Sequence, residues 1–362
     1  MRILFVITGL GVGGAERQVV DLADKLAQLG HQVRIVYLTG EVLVKPSSAD
    51  VQVEPVRMSR TPLGLVRGVL GLRRSIRQFR PDVVHSHMVH ANLLARITRL
   101  VQPMTRLVCT AHNSNEGGKL RMLIYRYTDF LADLSTNVSE AAVEAFLKLG
   151  AAKPGRMVTV YNGIDLTKFH ASPVSQAVVT GPLKLLAVGR FHPQKDYPSL
   201  IEAVDILRHD ESCPEFQLEI AGDGPERSQI EEMVESKRLG DCIKLLGVRD
   251  DVPDLMQKAD IFVLSSAYEG FGLVVAEAMA CEKIVVATDC GGVKEVLGGN
   301  GFLVPPRSPD SLAHSLRKAL AMDEAEARAM GQRARKHVET VFGLNVIAGQ
   351  WLSLYSSNNQ PG

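Results

Sequence analysis

The stretch Leu264-Ser-Ser-Ala-Tyr-Glu-Gly-Phe-Gly-Leu-Val-Val-Ala-Glu-Ala-Met-Ala280, continued by Ile284-Val-Val-Ala-Thr-Asp289 and Gly291-Gly292, decides how this chain is read. It is a buried strand ending near Ser265, a polar loop with glycines, and a helix starting near Gly272 whose apolar face carries Leu273, Val274, Ala278 and Met279. A second buried strand follows at 284–288. A helix entered through Gly270-Phe271-Gly272 presents free backbone N–H groups and the positive end of its dipole. That is a site for a diphosphate. Glu269 precedes the helix, and Glu277 lies about five residues into it, roughly 7.5 Å along the axis. The two acids can bond hydroxyls beyond the two ends of a diphosphate, which is the outline of a sugar nucleotide. A capped core helix with two surface glutamates would show the same bare spacing.

Working backwards, Leu183–Val188 reads as a strand that runs into Gly189-Arg190 and then Lys195. Two cations five residues apart, just past a strand end, suit a diphosphate leaving group. Arginine forks two oxygens and lysine supplies a point charge. Solvated loop charges are the plain alternative. Phe216–Ile220 with Ala221-Gly-Asp-Gly-Pro225, and Ile243–Leu246 with Gly247-Val248-Arg249, repeat the strand-and-turn pattern. Beyond the deciding stretch come an edge strand at Gly301–Pro306 and helices at about 308–321, 324–340 and 344–355. The last carries Leu344, Ile347, Trp351 and Leu354 on one stripe.

The first half opens with a strand, Ile3–Ile7, and the loop Thr8-Gly-Leu-Gly-Val-Gly-Gly-Ala-Glu-Arg17. Gly9-x-Gly11-x-x-Gly14 formally matches the dinucleotide-binding fingerprint. That fingerprint also wants an acid at the end of the next strand. Strand Val33–Leu38 ends without one, and the first acid is Glu41 in the following loop. A nicotinamide oxidoreductase is therefore the runner-up. Two further strands, Asp82-Val-Val-His-Ser-His87 and Leu107-Val-Cys-Thr-Ala-His112, each end in a histidine, where open α/β sheets bind ligands. Strands at 134–138 and 157–161 flank a helix at 139–149. Ala171–Pro182, rich in Ser, Pro and Gly, reads as a linker.

The spacing Glu269-x7-Glu277 with its Gly turn resembles the donor-site signature of retaining glycosyltransferases of the GT-B fold, family 4 (glycosyltransferase group 1 type). The resemblance spans nearly the whole chain. It implies two Rossmann-like doubly wound α/β domains facing across a cleft. Residues 1–170 would be the acceptor-side domain, with a C-terminal helix (343–362) packing back on it. Residues 171–182 would be the linker and 183–342 the nucleotide-sugar domain. It implies that Arg190 and Lys195 neutralise the diphosphate as the anomeric bond breaks, and that Gly270, Phe271, Gly272 and Leu273 enter the donor site. Glu269 orients sugar hydroxyls, Glu277 bonds the ribose, and the backbone at Val248 meets the base. Gly13 and Gly14 close over the diphosphate. His87 stands at the reaction centre and His112 lines the acceptor side. The donor is expected to be a UDP- or GDP-sugar and the transfer a retaining one, of hexose or N-acetylhexosamine, with no metal or other cofactor. Front-face attack within an ion pair and double displacement both stay open. A GT-B epimerase or phosphorylase and a non-catalytic nucleotide-sugar binder are further readings.

At 362 residues the chain is long enough for two domains. Hydrophobic residues make up 46% and charged residues 22%, an ordinary soluble composition. A net charge of +1 gives no reason to expect nucleic acid as a partner. The charge is unevenly placed, however. Residues 1–165 hold 21 Lys+Arg against 13 acids, and residues 166–362 hold 20 against 27. The basic excess is densest at 57–80, where seven arginines interleave with Leu63, Leu65, Val66, Val69, Leu70, Leu72, Ile76 and Phe79. A helix over 63–79 can lie on an anionic membrane surface, or pack its apolar stripe on the sheet and leave arginines in water. The five scattered cysteines fit a reducing compartment. The sequence leads us to expect a cytoplasmic enzyme, peripheral at the inner membrane face, acting on a glycan or lipid-linked acceptor.

Overall fold

The computed structural model describes residues 1–59, 61–115, 117–171 and 181–357 of the chain. They form two compact units, Met1–Gly163 with the residues from Leu344, and Ile164–Gly343. The boundary falls earlier than the sequence suggested, at 163/164 and not near 170. Gly163 donates its N–H to the Gln18 Oε1 in the first unit (2.9 Å), and the next N–H, of Ile164, goes to the Phe342 carbonyl in the second (2.7 Å). Residues 172–180, most of the expected linker, lie outside the described residues, as does Arg60 of the basic stretch.

In the first unit β1 (Arg2–Ile7), α1 (Gly14–Gln28), β2 (Gln32–Tyr37), β3 (Gln52–Pro55), α2 (Pro62–Phe79), β4 (Val83–His87), α3 (Val89–Arg99), β5 (Leu107–Ala111), α4 (Lys119–Thr128), β6 (Leu134–Asn137), α5 (Glu140–Lys148) and β7 (Met157–Thr159) alternate. The seven strands are all parallel, in the order β3-β2-β1-β4-β5-β6-β7. The order reverses direction between β1 and β4. Right-handed crossovers therefore put α1 on one face and α2 to α5 on the other. Side chains of β1 alternate between two cores. Ile3, Phe5 and Ile7 pack with Val19, Leu22 and Leu26 of α1; Leu4 and Val6 pack with Leu72 and Leu94 of α2 and α3.

Helix α2 begins where Thr61 caps it, its hydroxyl accepting from the Gly64 N–H at 3.0 Å, with Pro62 in the first turn. Its buried face is not the apolar stripe expected. It is Gly64, Gly68, Leu72, Ser75 and Ile76, while Leu63, Leu65, Val66 and Leu70 are exposed. The glycines explain the orientation. A Cβ on Gly64 would meet the Ser59 carbonyl oxygen at 2.4 Å, and one on Gly68 would sit 3.0 Å from the Met58 Cγ. The segment after β3 lies so close that only this edge of the helix can face it.

The second unit runs β8 (Leu183–Val188), α6 (Tyr197–Arg208), β9 (Phe216–Ala221), α7 (Arg227–Ser236), β10 (Ile243–Gly247), α8 (Val252–Lys258), β11 (Ile261–Leu264), α9 (Leu273–Ala280), β12 (Ile284–Thr288), α10 (Val293–Leu297), β13 (Phe302–Val304), α11 (Pro309–Leu320) and α12 (Glu324–Val341). Its six parallel strands stand in the order β10-β9-β8-β11-β12-β13, reversing between β8 and β11. Buried Val, Ile and Leu fill both sheets, as parallel strands covered on both faces require.

The last helix, α13 (Leu344–Ser356), belongs to the first unit. It buries Ile347, Ala348, Trp351 and Tyr355 against β1 and α1, and Leu344 beside Gly163. Tyr355, not Leu354, completes the stripe.

Candidate functional site

In each unit the sequence-predicted residues collect at the carboxyl ends of the strands, around the point where strand order reverses. That is where open parallel sheets bind ligands.

In the second unit the loops after β8 and β11 are laced together. Lys195 Nζ and Glu269 Oε1 form an ion pair at 2.6 Å, with side chains 17% and 11% exposed. Ser266 Oγ donates to the same carboxylate oxygen at 2.7 Å, and Ser265 Oγ donates to the Lys195 carbonyl at 2.8 Å. The Ala267 N–H goes to the Gln194 carbonyl, and Gln194 Nε2 to that of Tyr268. Thr288 Oγ1, at the end of β12, donates to the Ser266 carbonyl at 2.6 Å. Arg190 lies on the exposed rim of this loop. Asp196, next to Lys195, is a non-glycine residue held at φ 47°, a strained backbone of the kind concentrated at functional sites. Burial, and then the Glu269 carboxylate, pushes the Tyr197 phenol well above its ordinary value.

Helix α9 opens at Gly272, in the left-handed region at φ 90°. Gly270, Phe271 and Gly272 are buried, Leu273 is half-buried, and Phe271 meets the Phe342 ring edge-on with centroids 5.4 Å apart. Glu277 is 2% exposed, so it is not a surface glutamate. Gly291, after β12, has φ 57°, and a Cβ there would stand 1.8 Å from the Glu269 carbonyl oxygen. Only glycine lets the β12 loop back directly onto the residue that pairs with Lys195. Val248 follows β10 and is 71% exposed.

In the first unit Gly9 to Gly14 join β1 to α1, and Gly13 is the N-cap of α1. No acid stands at the end of β2, where Leu38, Thr39 and Gly40 follow. His87 closes β4 and His112 follows β5; His87 Nδ1 and His112 Nε2 are 3.0 Å apart. His87 is 2% exposed, and its Nε2 has no hydrogen-bond partner among the described residues. Met88, immediately after, is another non-glycine residue in the left-handed region, at φ 72°. Burial holds His87 and His85 well below the ordinary imidazole value and His112 down to about 4. These rings are neutral at pH 7.

Sequence reasoning missed what lies behind His87. The His85 ring lies tilted against it with centroids 4.0 Å apart. Tyr355 and Thr110 bond the two nitrogens of His85 at 2.6 and 2.7 Å, and Trp351 covers its ring at 4.5 Å. His85 was visible in the strand-end motif. Its partners on α13 are 270 residues away in sequence, and no local pattern announces them. The pairing of Lys195 with Glu269, given separate roles from sequence, was also unforeseen. Among the described residues no group of three or more His, Cys, Asp or Glu is placed to hold a metal ion.

Comparison with known proteins agrees with this geometry. Residues 12–168 match glycosyltransferase family 4, and residues 170–337 match the glycosyl transferases group 1. The chain is 25% identical over 364 residues to N-acetyl-alpha-D-glucosaminyl L-malate synthase of Bacillus anthracis, covering 95% of this chain and 94% of that one. It is 30% identical over 308 residues to alpha-maltose-1-phosphate synthase of Mycolicibacterium smegmatis, covering 75% and 78%. Its fold superposes on Anabaena HepE, solved in complex with UDP-glucose, with a TM-score of 0.82 at 23% identity, over 98% of this chain and 99% of that one. The nicotinamide reading of Gly9–Gly14 is thereby corrected: Gly13 and Gly14 fall inside the matched glycosyltransferase family, and the ribose-binding acid that reading would need is missing. The chain belongs to the group 1 glycosyltransferases of family 4 and has the GT-B fold, two Rossmann-like α/β units.

Proposed function

We propose that the chain transfers a hexose or N-acetylhexosamine, with retention of configuration, from a UDP- or GDP-sugar held by the second unit. The observation that carries this is the cluster at the β8–β11 switch point, where Arg190, Lys195, Glu269 and the start of α9 share one strand edge. Arg190 and Lys195 take up the charge that develops on the departing diphosphate, in the place a metal would otherwise fill, and the N–H groups at Phe271 and Gly272 add to it. Glu269, fixed by Lys195 and Ser266, orients the sugar hydroxyls. Glu277 bonds the ribose and the backbone at Val248 meets the base. That HepE was solved with UDP-glucose supports a uridine donor. In the first unit Nε2 of His87, without a hydrogen-bond partner among the described residues, is the atom offered to a substrate, with His112 beside it.

The acceptor is a glycan or a lipid-linked glycan at the cytoplasmic face of a membrane. Helix α2 supports the membrane part: it exposes Leu63, Leu65, Val66 and Leu70 beside Arg67 and Arg74, and carries no acid. No helix among the described residues is long and apolar enough to cross a bilayer. Thermal shift with UDP-, GDP-, ADP- and TDP-sugars beside NAD and NADP tests the donor. A ligand at 100 times its dissociation constant adds about 2.7 kcal/mol. One nucleotide sugar should stabilise the parent, and much less so Lys195→Ala and Glu277→Ala. Stabilisation by NAD alone would overturn the reading. The anomeric form of the product, by NMR, decides retention, and free sugar, sugar phosphate or epimer as product would replace transfer.

A further inference from the structure

Helix α4 is held in its layer by two side chains, Met122 and Tyr125, which are 1% and 2% exposed. Its opposite face carries Leu120, Leu123, Ile124 and Tyr127, exposed by 72%, 45%, 38% and 71%. These positions follow the i, i+3, i+4, i+7 pattern of a single apolar stripe. Phe130, 74% exposed in the turn Asp129–Leu131, continues it. A helix of ten residues thus has two apolar faces, and only one is covered. Large exposed apolar patches mark interaction sites.

The rim says what covers the second face. At 100° per residue Lys119 and Arg126 fall along one side of the stripe and Arg121 along the other. Neither α4 nor α3, which packs beside it, contains an acid; α5, which meets α4 through Tyr125 and Phe146, carries Glu140 and Glu144. Between Pro55 and Thr128 the sequence has thirteen Lys+Arg and two acids, Asp82 and Glu116. A second copy seated on this stripe would bring like-charged rims together. An anionic lipid surface meets both features at once: apolar side chains enter the acyl boundary, aromatic ones sit at the headgroups, and cations pair with phosphates.

We propose that α4 inserts into an anionic bilayer, with Leu120, Leu123 and Ile124 submerged, Tyr127 and Phe130 at headgroup level, and Lys119, Arg121 and Arg126 on the headgroup phosphates. This extends the membrane reading given for α2 and rests on it. Flotation with vesicles of phosphatidylcholine alone and with phosphatidylglycerol added tests it. The parent should float only with the anionic vesicles. The triple variant Leu120→Ser/Leu123→Ser/Ile124→Ser should bind at least tenfold more weakly, with unchanged thermal stabilisation by the nucleotide sugar. Lys119→Gln and Arg126→Gln should each cost about fivefold. The chain's one tryptophan, Trp351, is buried, so Leu123→Trp adds a separate reporter that should shift to the blue and be quenched by brominated lipid. Full binding by the triple variant, with loss only in Arg73→Glu/Arg74→Glu/Arg77→Glu, would overturn the role of α4 and leave the membrane reading standing. No flotation of the parent would remove both. A parent dimer that the triple variant dissolves, without lipid binding, would assign the stripe to a second copy instead.

Discussion

The hydroxyl of Tyr355 and Nδ1 of His85 lie 2.6 Å apart in the core of the first unit. Burial raises the phenol's pKa and lowers the imidazole's, so the proton stays on the phenol. The arrangement that leaves no donor idle has Tyr355 donating to Nδ1 and the Nε2–H donating to Thr110, whose hydroxyl lies 2.7 Å from that of Thr136. Tyr355→Phe leaves a buried nitrogen unpaired, at a cost of about 1–3 kcal/mol. The shift in urea midpoint measures it, and an unmoved midpoint would show that the bond contributes nothing.

The same histidines make stability depend on pH. Above about pH 6.5 they are neutral in both folded and unfolded chains. Below it the unfolded imidazoles bind protons, while the native ones, held low by burial, do not; His112 waits until about pH 4. Stability is therefore present above 6.5 and falls as pH drops from 6.5 toward 4, by up to about 1.4 kcal/mol per unit for each histidine. Urea unfolding at pH 7.5 and 5.0 should show the loss, and His112→Gln should reduce it. A parent equally stable at both values would contradict this.

Lys195 and Arg190 should separate cleanly. Lys195→Met leaves Glu269 mostly buried without its cation, destabilising the fold by about 1–3 kcal/mol. Lys195→Met/Glu269→Gln should recover part of that. Arg190→Ala, on the exposed rim, should leave stability within about 0.5 kcal/mol and lower kcat on the order of 100-fold. Equal stability losses in the two single variants would show that the ion pair is not structural.

Gly291→Ala places a methyl on the Glu269 carbonyl and forces a side chain onto φ 57°. The loop must move, with a loss of at least about 2 kcal/mol and weaker thermal stabilisation by the nucleotide sugar. Gly299, also left-handed at φ 79° but with open space around it, is the control. Gly299→Ala should cost only about 1–2 kcal/mol, with donor binding kept. Two alanine variants of equal effect would mean that contact with Glu269 is unimportant.

Most strands were legible because parallel sheets covered on both faces demand continuous runs such as Ile284–Thr288. The clustering of Lys195 and Glu269 follows chain order, because each loop immediately succeeds its strand. In helix α2 the leucines form the better apolar pattern, yet they do not decide how it packs. The packing surface is instead set by Gly64 and Gly68, whose contribution is the absence of a side chain. Leu354 was preferred to Tyr355 for a similar reason. Hydrophobicity was visible, whereas the hydroxyl's partner on β4 was not.

The second unit is a continuous insertion, and α13 closes the core of the first. A growing polypeptide therefore exposes β1 and α1 with part of their cover missing until residues 344–356 leave the ribosome. The unit synthesised first is completed last. A fragment ending at residue 163 should collapse without a fixed core and be exposed to aggregation, while residues 164–343 carry every side chain their own core needs. Recombining first and second units between relatives must therefore treat α13 as part of the first unit.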